Sequence, residues 1–445
     1  MRDYMFMMLM LALVALACLR PFVGVLLWSW ISFMSVHRLG WGVATNLPWA
    51  MMSFAAIIVG CLVAREPKGF RPNLLHLLLV LFAIGMTVTS FFALNTPEAV
   101  WPKWEKVLKI ILGLLVTAAL LTERWRVHAL VWMIVISIGY FGVRGGLFTV
   151  LTGGAHIVLG PPDSMIADRN HVAVAMLFAI PLMNWLRLQS PHRIVRIGLI
   201  LAMVATLFGA IGTQSRGALV AMAGVAFLLW LRTPGKLVSG IAIAGAVAAV
   251  LAFMPASWSE RMRTIDDFAE DASATGRIKI WRVSFDIAKS RPLIGGGFRA
   301  MYSQDIVDRF DPTVRARAAH SIYFEALGEH GFIVFGIWLA IIATGVLYSF
   351  RLIALARDRP GLRWAGDLGR MSQVSIVAYL AGGAFLSLAY WDVFWTLLIV
   401  LGAAYALAQR EAEQGRAEAV AAPARPASRP AGGWRGRPVP ARTAP

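Results

Sequence analysis

The chain has almost no cysteine. Cys18 and Cys61 are the two in 445 residues, and both lie inside apolar runs. That argues against a disulfide framework or a thiolate metal site, and fits two small apolar residues packed among others. Charge is scarce too: 15% of residues are Asp, Glu, Lys or Arg, with 24 acidic against 42 basic. Despite a net charge of +18, no basic-aromatic nucleic-acid module is visible, so the charge is assigned to membrane orientation and to a basic tail. No clear internal repeat stands out, which speaks against an inverted-repeat transporter.

What the chain has in abundance is apolar runs, and its mean hydropathy is +0.67. Runs long enough to cross a bilayer as helices fall at about 4–19, 22–36, 47–64, 74–94, 106–122, 127–143, 171–186, 194–212, 217–231, 237–254, 331–350, 372–389 and 393–408. The first two are joined only by Arg20-Pro21, so the expectation is an all-α polytopic integral membrane protein of about 12–13 spans. No good small-residue cleavage pattern follows residues 4–19, which are read as a retained span. Trp28, Trp30, Trp101, Trp104 and Trp125 cluster near span ends, as an aromatic belt does.

Short loops set the orientation. Arg65, Lys68 and Arg71, then Arg124 and Arg126, then Arg187, Arg193 and Arg196, then Arg232 and Lys236, then Arg351 to Arg370 form one alternating set. The positive-inside rule makes that set cytoplasmic and places residues 95–105, 144–170, 213–216, 255–330 and the turn Tyr390-Trp391-Asp392 outside. Four regions follow: a bundle over 1–254, a long periplasmic loop over 255–330, further spans over 331–408, and a disordered Ala/Pro/Arg-rich cytoplasmic tail over 409–445.

The long loop carries the candidate chemistry. Apolar positions 278, 281, 285 and 288 describe an amphipathic helix over 276–290, lying on the outer membrane boundary and ended by Arg291-Pro292. Gly295-Gly296-Gly297 permits a tight turn, and a helix over Ser321–His330 follows, with Ser321 near its cap. Arg277 after Gly276 suits bidentate phosphate binding, helped by a helix N-terminus; the bland alternative is a solvated arginine. In Gln214-Ser215-Arg216-Gly217, Arg216 is either functional or an interfacial arginine reaching for water.

Lys106 and Lys109, three apart, share a helix face and are candidates for a lipid phosphate, whereas Lys103 reads as an ordinary interfacial lysine. His320 is a candidate base, although a lone histidine is more often structural. Glu325 and Glu329 are too few for a metal site, and no Asp-x-Asp pair stands near His320. The pattern therefore points to chemistry without metal or other cofactor. Asp168, Arg169 and His171 close another external loop that either covers the site or simply turns.

Four motifs in order, Ser215-Arg216-Gly217-Ala218, Gly276-Arg277-Ile278-Lys279-Ile280-Trp281, Pro292-Leu293-Ile294-Gly295-Gly296-Gly297-Phe298 and His320-Ser321-Ile322-Tyr323-Phe324-Glu325-Ala326-Leu327-Gly328-Glu329-His330-Gly331, resemble the O-antigen ligase and polymerase superfamily. Residues 28–34, 104–109 and 382–390 look like its branch of probable O-glycosylation ligases of exosortase A systems. The resemblance covers about 1–408. It implies glycan transfer from undecaprenyl diphosphate to a hydroxyl of a protein, lipid or polysaccharide, with inversion, at the periplasmic face of a bacterial inner membrane. It further implies that Arg216 and Arg277 hold the diphosphate and His320 orients or deprotonates the acceptor. Lys106, Lys109, Ser215, Gly276, Ser321 and Tyr323 then become substrate-binding candidates. Ser321 stands where family members commonly carry asparagine. A polymerase shares the same motifs. A lipid-linked glycan transporter predicts charges at mid-membrane, and a non-catalytic scaffold predicts tolerance of changes at Arg216, Arg277 and His320.

Overall fold

The computed structural model describes residues 2–40, 42–69, 71–232, 235–238, 240–241, 244–245 and 272–421. The span expected over 237–254 and the loop residues 255–271 fall largely or wholly outside them, as does the tail beyond Ala421. The described residues form helices and no strand: α1 Arg2–Leu19, α2 Pro21–Met34, α3 Trp49–Val63, α4 Leu74–Phe91, α5 Pro97–Leu120, α6 Arg124–Leu151, α7 Arg169–Gln189, α8 Arg193–Gly212, α9 Arg216–Arg232, α10 Ala272–Ser290, α11 Ile322–Ala356, α12 Arg363–Gly383 and α13 Asp392–Ala421, with short turns of helix between.

Six helices, α4, α6, α7, α8, α11 and α13, are long and apolar enough to cross a membrane. Helices α1, α2, α3 and α9 are apolar but shorter. Helices α5 and α12 carry charges within their length, such as Lys103 and Lys106, or Asp367 and Arg370, which dilute their hydropathy. The expected 12–13 spans are therefore met at full length by six, and the chain is an all-α polytopic membrane protein. The last helix runs to Ala421, beyond position 409 where the sequence suggested a disordered tail. Residues 409–417 hold few helix breakers, so the helix simply continues.

Helices α7 and α13 form the centre, with 72% and 78% of their apolar windows buried, against 28% for α8. Their core includes Phe178 edge-on to Trp391, and Tyr379 stacked on Phe394 with centroids 3.7 Å apart. Outer helices expose large apolar side chains such as Leu62, Ile194 and Leu201, the surface that lipid covers. Helices α6 and α8 meet through small residues. A Cβ on Gly146 would sit 1.8 Å from the Ala205 carbonyl oxygen, and one on Gly142 would sit 2.4 Å from Thr206 Oγ1.

The long loop has its own small core of Ile280, Val283, Ile287, Ala300, Met301, Ile306, Val307, Val314 and Ala319. This adjusts the amphipathic reading of α10. Its buried face is 280, 283 and 287, while Ile278 and Phe285 remain exposed on the other side. Of the expected stripe, Ala288 is buried and Trp281 packs against the loop core, whereas Ile278 and Phe285 face outward, so the apolar surface is wider than a single stripe.

Candidate functional site

Backbone clamps place the site. Gly296 and Gly297 donate to the carbonyls of Gly328 (2.9 Å) and Glu329 (2.7 Å), and Leu94 donates to Gly296 (2.8 Å). Gly297 (φ +77°) and Gly331 (φ +73°) adopt left-handed conformations that favour glycine, and a Cβ on Gly297 would lie 2.2 Å from Ala93. The glycine run is thus a close seam between the loop, the end of α4 and the first segment of α11, which breaks at Gly331. On the far side of the loop, Trp281 Nε1 donates to the Ala319 carbonyl at 2.7 Å and its ring stacks on Phe324 at 5.2 Å. These contacts fix the strand of chain that presents His320.

His320 is partly buried and its backbone is left-handed, at φ +48°. Such a conformation in a residue with a Cβ costs of order 1 kcal/mol or more and needs support from its surroundings. The support is a hydrogen bond from His320 N to Ser387 Oγ at 2.9 Å. Burial, then Arg277, His171 and Arg317, push the imidazole pKa down to about 4, with Asp168 opposing. The side chain is therefore neutral near pH 7 and surrounded by positive potential. Asp168 caps α7, accepting from Asn170 N at 2.8 Å, and lies 3.3 Å from His171 Nδ1. The hydrogen bond from His171 holds its carboxyl well below the usual range.

The α9 end joins the same place. Ser215, buried, donates to Asn170 Oδ1 at 2.6 Å and accepts from Ala218 N at 3.1 Å. Arg216 is the first residue of α9. Gly276 leaves room for Arg317: a Cβ there would be 2.7 Å from the Arg317 Nη1. Three separated motifs, around 215, 277 and 320, are thereby gathered with Asp168 and His171 at one end of the bundle.

Ser387 also lines a cleft of about 240 Å³ with Lys103, Lys106, Arg299, Met165 and Tyr390. Lys103 Nζ lies 3.3 Å from Glu325 Oε1 and 5.1 Å from the centre of the Tyr390 ring. Glu325 Oε2 accepts from Ala389 N at 3.0 Å. Glu329 accepts from Arg299 N (2.8 Å) and Tyr390 Oη (2.7 Å). The buried carboxylates are thus braces for the cleft wall. Among the described residues, Lys106 has no carboxylate within 4.0 Å; Asp392 acts on it from further off, and its ammonium adds positive charge to the cleft.

The outcome for each predicted residue is specific. His320, Arg277, Ser215 and Gly276 come together. Helix α10 begins at Ala272, so Arg277 is in its second turn and the expected N-terminal potential does not act at that residue. Lys106 lines the cleft, whereas Lys109 is outside it, exposed and paired with Glu105. Lys103, read as an ordinary interfacial lysine, is instead the lysine paired with buried Glu325. Ser321 occupies the cap position of α11 without a side-chain capping bond and is buried. Tyr323 is partly buried, donates to the Leu380 carbonyl at 3.0 Å and packs on Trp338, so its hydroxyl already has a backbone partner. The other histidine of the motif, His330, is fully buried beside Phe298 and 2.7 Å from Thr89 Oγ1. Arg299, Arg317, Ser387 and Tyr390 emerge from the structure alone. The sequence placed Arg299 and Arg317 in the long loop and Tyr390 in a turn of the same face, and Ser387 and Tyr390 within the stretch 382–390, but nothing in it singled out these side chains. Among the described residues no group of three or more His, Cys, Asp and Glu is gathered as a metal site.

Fold and site together describe a multi-pass α-helical membrane protein with a cationic cleft at one end and His320 joined to it through Ser387. Residues 201–339 match the family described as O-Antigen ligase, and residues 1–190 match a family of unknown function (DUF5935). No curated protein matches the chain. The O-antigen ligase match includes Ser215, Arg216, Gly276, Arg277 and His320, and leaves Lys103, Lys106 and Ser387 outside. It supports the O-antigen ligase and polymerase superfamily, a glycosyltransferase-like function of ligase or polymerase kind, and lipid-linked glycan substrates.

Proposed function

We propose that the protein is a ligase that moves a glycan from undecaprenyl diphosphate onto an acceptor hydroxyl at the periplasmic face of the inner membrane, without a metal. The observation that carries the reading is the neutral His320 held beside Arg277 and Arg317. An anion drawn in by those guanidiniums counters their effect on the imidazole and raises its proton affinity. Substrate binding therefore makes the imidazole a better base, while burial continues to hold its proton affinity down.

In the step, the acceptor oxygen bonds to the anomeric carbon while the carbon–oxygen bond to the diphosphate breaks. The bonding electrons leave with the diphosphate, and the acceptor proton passes to the neutral imidazole. Arg277, with Arg216, binds the diphosphate and stabilises its growing charge through bidentate hydrogen bonds. Attack from the face opposite the leaving group inverts the configuration. The cleft of Lys103, Lys106 and Arg299 holds further anionic groups of the donor. Assignment to an O-glycosylation branch associated with exosortase A rests on the motif resemblance at 28–34, 104–109 and 382–390.

Purified protein with undecaprenyl-diphosphate glycan, candidate acceptors and excess EDTA tests this. Transfer by wild type and its loss in His320→Asn are expected; asparagine tolerates the left-handed backbone. Equal transfer by both would overturn the role of His320. The species that becomes labelled separates a ligase from a polymerase, whose acceptor is itself a lipid-linked glycan. Movement of the lipid-linked glycan across a vesicle membrane with no new glycosidic bond would favour a transporter.

A further inference from the structure

At the other end of α7 lies a second recess unrelated to His320. The helix is 21 residues long, about 30 Å, and Arg187 sits near its last turn. There Arg124 of α6, Arg187 of α7, Arg196 of α8 and Arg363 of α12 line one cavity of about 400 Å³. Trp364, fully buried, forms part of the wall, and the Arg124 guanidinium stands 4.9 Å from its ring centre.

The carboxylates nearby are already engaged. Asp367, the one acid of the lining, takes hydrogen bonds from Arg370 Nη2 (2.6 Å) and Gln189 Nε2 (3.2 Å) and lies 3.8 Å from Arg363 Nε. Glu411 accepts from the Trp364 indole at 3.2 Å and offsets part of the Arg124 charge, leaving Arg187 and Arg196 as the lining arginines with no carboxylate partner among the described residues. Arg187 and Arg196 are oriented through Nε, to Asn184 Oδ1 (2.9 Å) and to the Ser190 carbonyl (2.7 Å). Their terminal nitrogens make no hydrogen bond to the described residues, so the forks stay available. Arg124, Arg196 and Arg363 also lie in the first turn of their helices, where the helix dipole disfavours a cation and favours an anion.

Arginines at span ends are ordinary, because they orient the chain and reach separately for water. Four helices delivering guanidiniums into one concave space is a different arrangement. Three of the four, Arg124, Arg196 and Arg363, are exposed and reachable by a ligand; like charges converging there repel, and a multiply charged anion between them removes the repulsion. The volume suits a small headgroup rather than a single ion. We propose that this cavity is a binding site for a phosphate compound whose polar group carries net negative charge, held by the forks of Arg187 and Arg196 with Arg124 and Arg363 at its rim. Its position at a span end fits an anionic lipid headgroup, and the same chemistry accepts a soluble phosphate.

The test is native mass spectrometry of the full chain in detergent, titrated separately with phosphatidic acid, with phosphatidylcholine and with inorganic pyrophosphate. Wild type is expected to retain phosphatidic acid over phosphatidylcholine. Arg187→Gln combined with Arg196→Gln is expected to weaken that retention about tenfold or more. Arg351→Gln combined with Arg357→Gln removes equal charge near the same end but outside the cavity, and is expected to bind as wild type. Displacement of the lipid by pyrophosphate assigns a site open to soluble phosphates, and lack of displacement assigns a lipid site. Equal retention of phosphatidylcholine, or equal losses in the two double variants, would overturn the proposal. Melting curves of both variants show that each remains folded.

Discussion

The backbone N–H of His320 donates to the hydroxyl of Ser387, and Ser387 in turn lines the cleft of Lys103, Lys106 and Arg299. One side chain thus joins the histidine to the cationic recess and steadies a left-handed turn. Ser387→Ala removes that acceptor, an interaction of about 1 kcal/mol. On the proposed mechanism turnover falls about fivefold to tenfold. As a positioning residue, Ser387 should affect kcat more than the KM for donor, and Ser387→Thr should restore most of the rate. A change confined to KM, or no rescue by threonine, would refute the positioning role.

The Lys103–Glu325 pair has one nearly buried partner, with Glu325 at 3% and Lys103 at 21% side-chain exposure. Glu325→Gln leaves the ammonium without its carboxylate and weakens the bond to Ala389 N, for a loss of about 2 kcal/mol or more in stability. Adding Lys103→Met removes the stranded charge, so the double variant should be more stable than the sum of the single losses by about 1 kcal/mol. Chemical denaturation in detergent checks this; simple additivity would mean that the two groups do not interact.

Most of the helices could be read from the chain because apolar runs in lipid must satisfy their own backbone, which leaves helix as the available form. The helix over 276–290 and its stop at Arg291-Pro292 were legible from local pattern, as was the end of the helical motif before Gly331. The rest of its apolar surface was not, since Ile280, Val283 and Ile287 find partners at 300–319, and that pairing is tertiary. The same reason hid Arg299 and Ser387. Arg299 matters because a glycine seam carries it to Glu329, and Ser387 because a distant loop folds back to His320. Lys103 was misread because its carboxylate partner is on another helix.

The pH response follows from the depressed His320 pKa. Folded His320 takes up its proton only near pH 4, whereas an unfolded histidine does so near 6.5. Between these values the unfolded chain binds more protons, so this group lowers stability as pH falls from 6.5 toward 4 and has no effect above 6.5. For the proposed reaction, kcat/KM should keep its rate to lower pH than kcat does, because bound diphosphate counters Arg277 and raises the pKa in the complex. Coincident acid limbs in the two profiles would show that the anion does not tune His320.

Gly276 separates packing from charge. An added methyl would meet the movable end of Arg317 at 2.7 Å, not backbone, and φ is unremarkable there. Gly276→Ala should therefore fold normally and gain slightly in helix propensity within α10. Its effect should be on the site: Arg317 is displaced, the positive potential at His320 drops, and the histidine pKa rises. NMR titration of the imidazole reads that rise. An unchanged pKa would show that Arg317 accommodates the methyl without leaving His320.

Arg277→Lys tests the diphosphate role directly. The charge is kept, and residue 277 is partly exposed in the second turn of α10, where lysine has similar helix propensity. The fold and the electrostatic attraction of donor should both survive. What is lost is the planar fork that grips two phosphate oxygens at once, and with it the stabilisation of charge that grows as the diphosphate departs. Turnover is expected to fall about 10- to 100-fold with a smaller change in donor affinity. Arg277→Gln, lacking the charge as well, should lose both. If Arg277→Lys turns over at the wild-type rate, Arg277 supplies only a positive potential near His320, and the bidentate contact must come from elsewhere in the site.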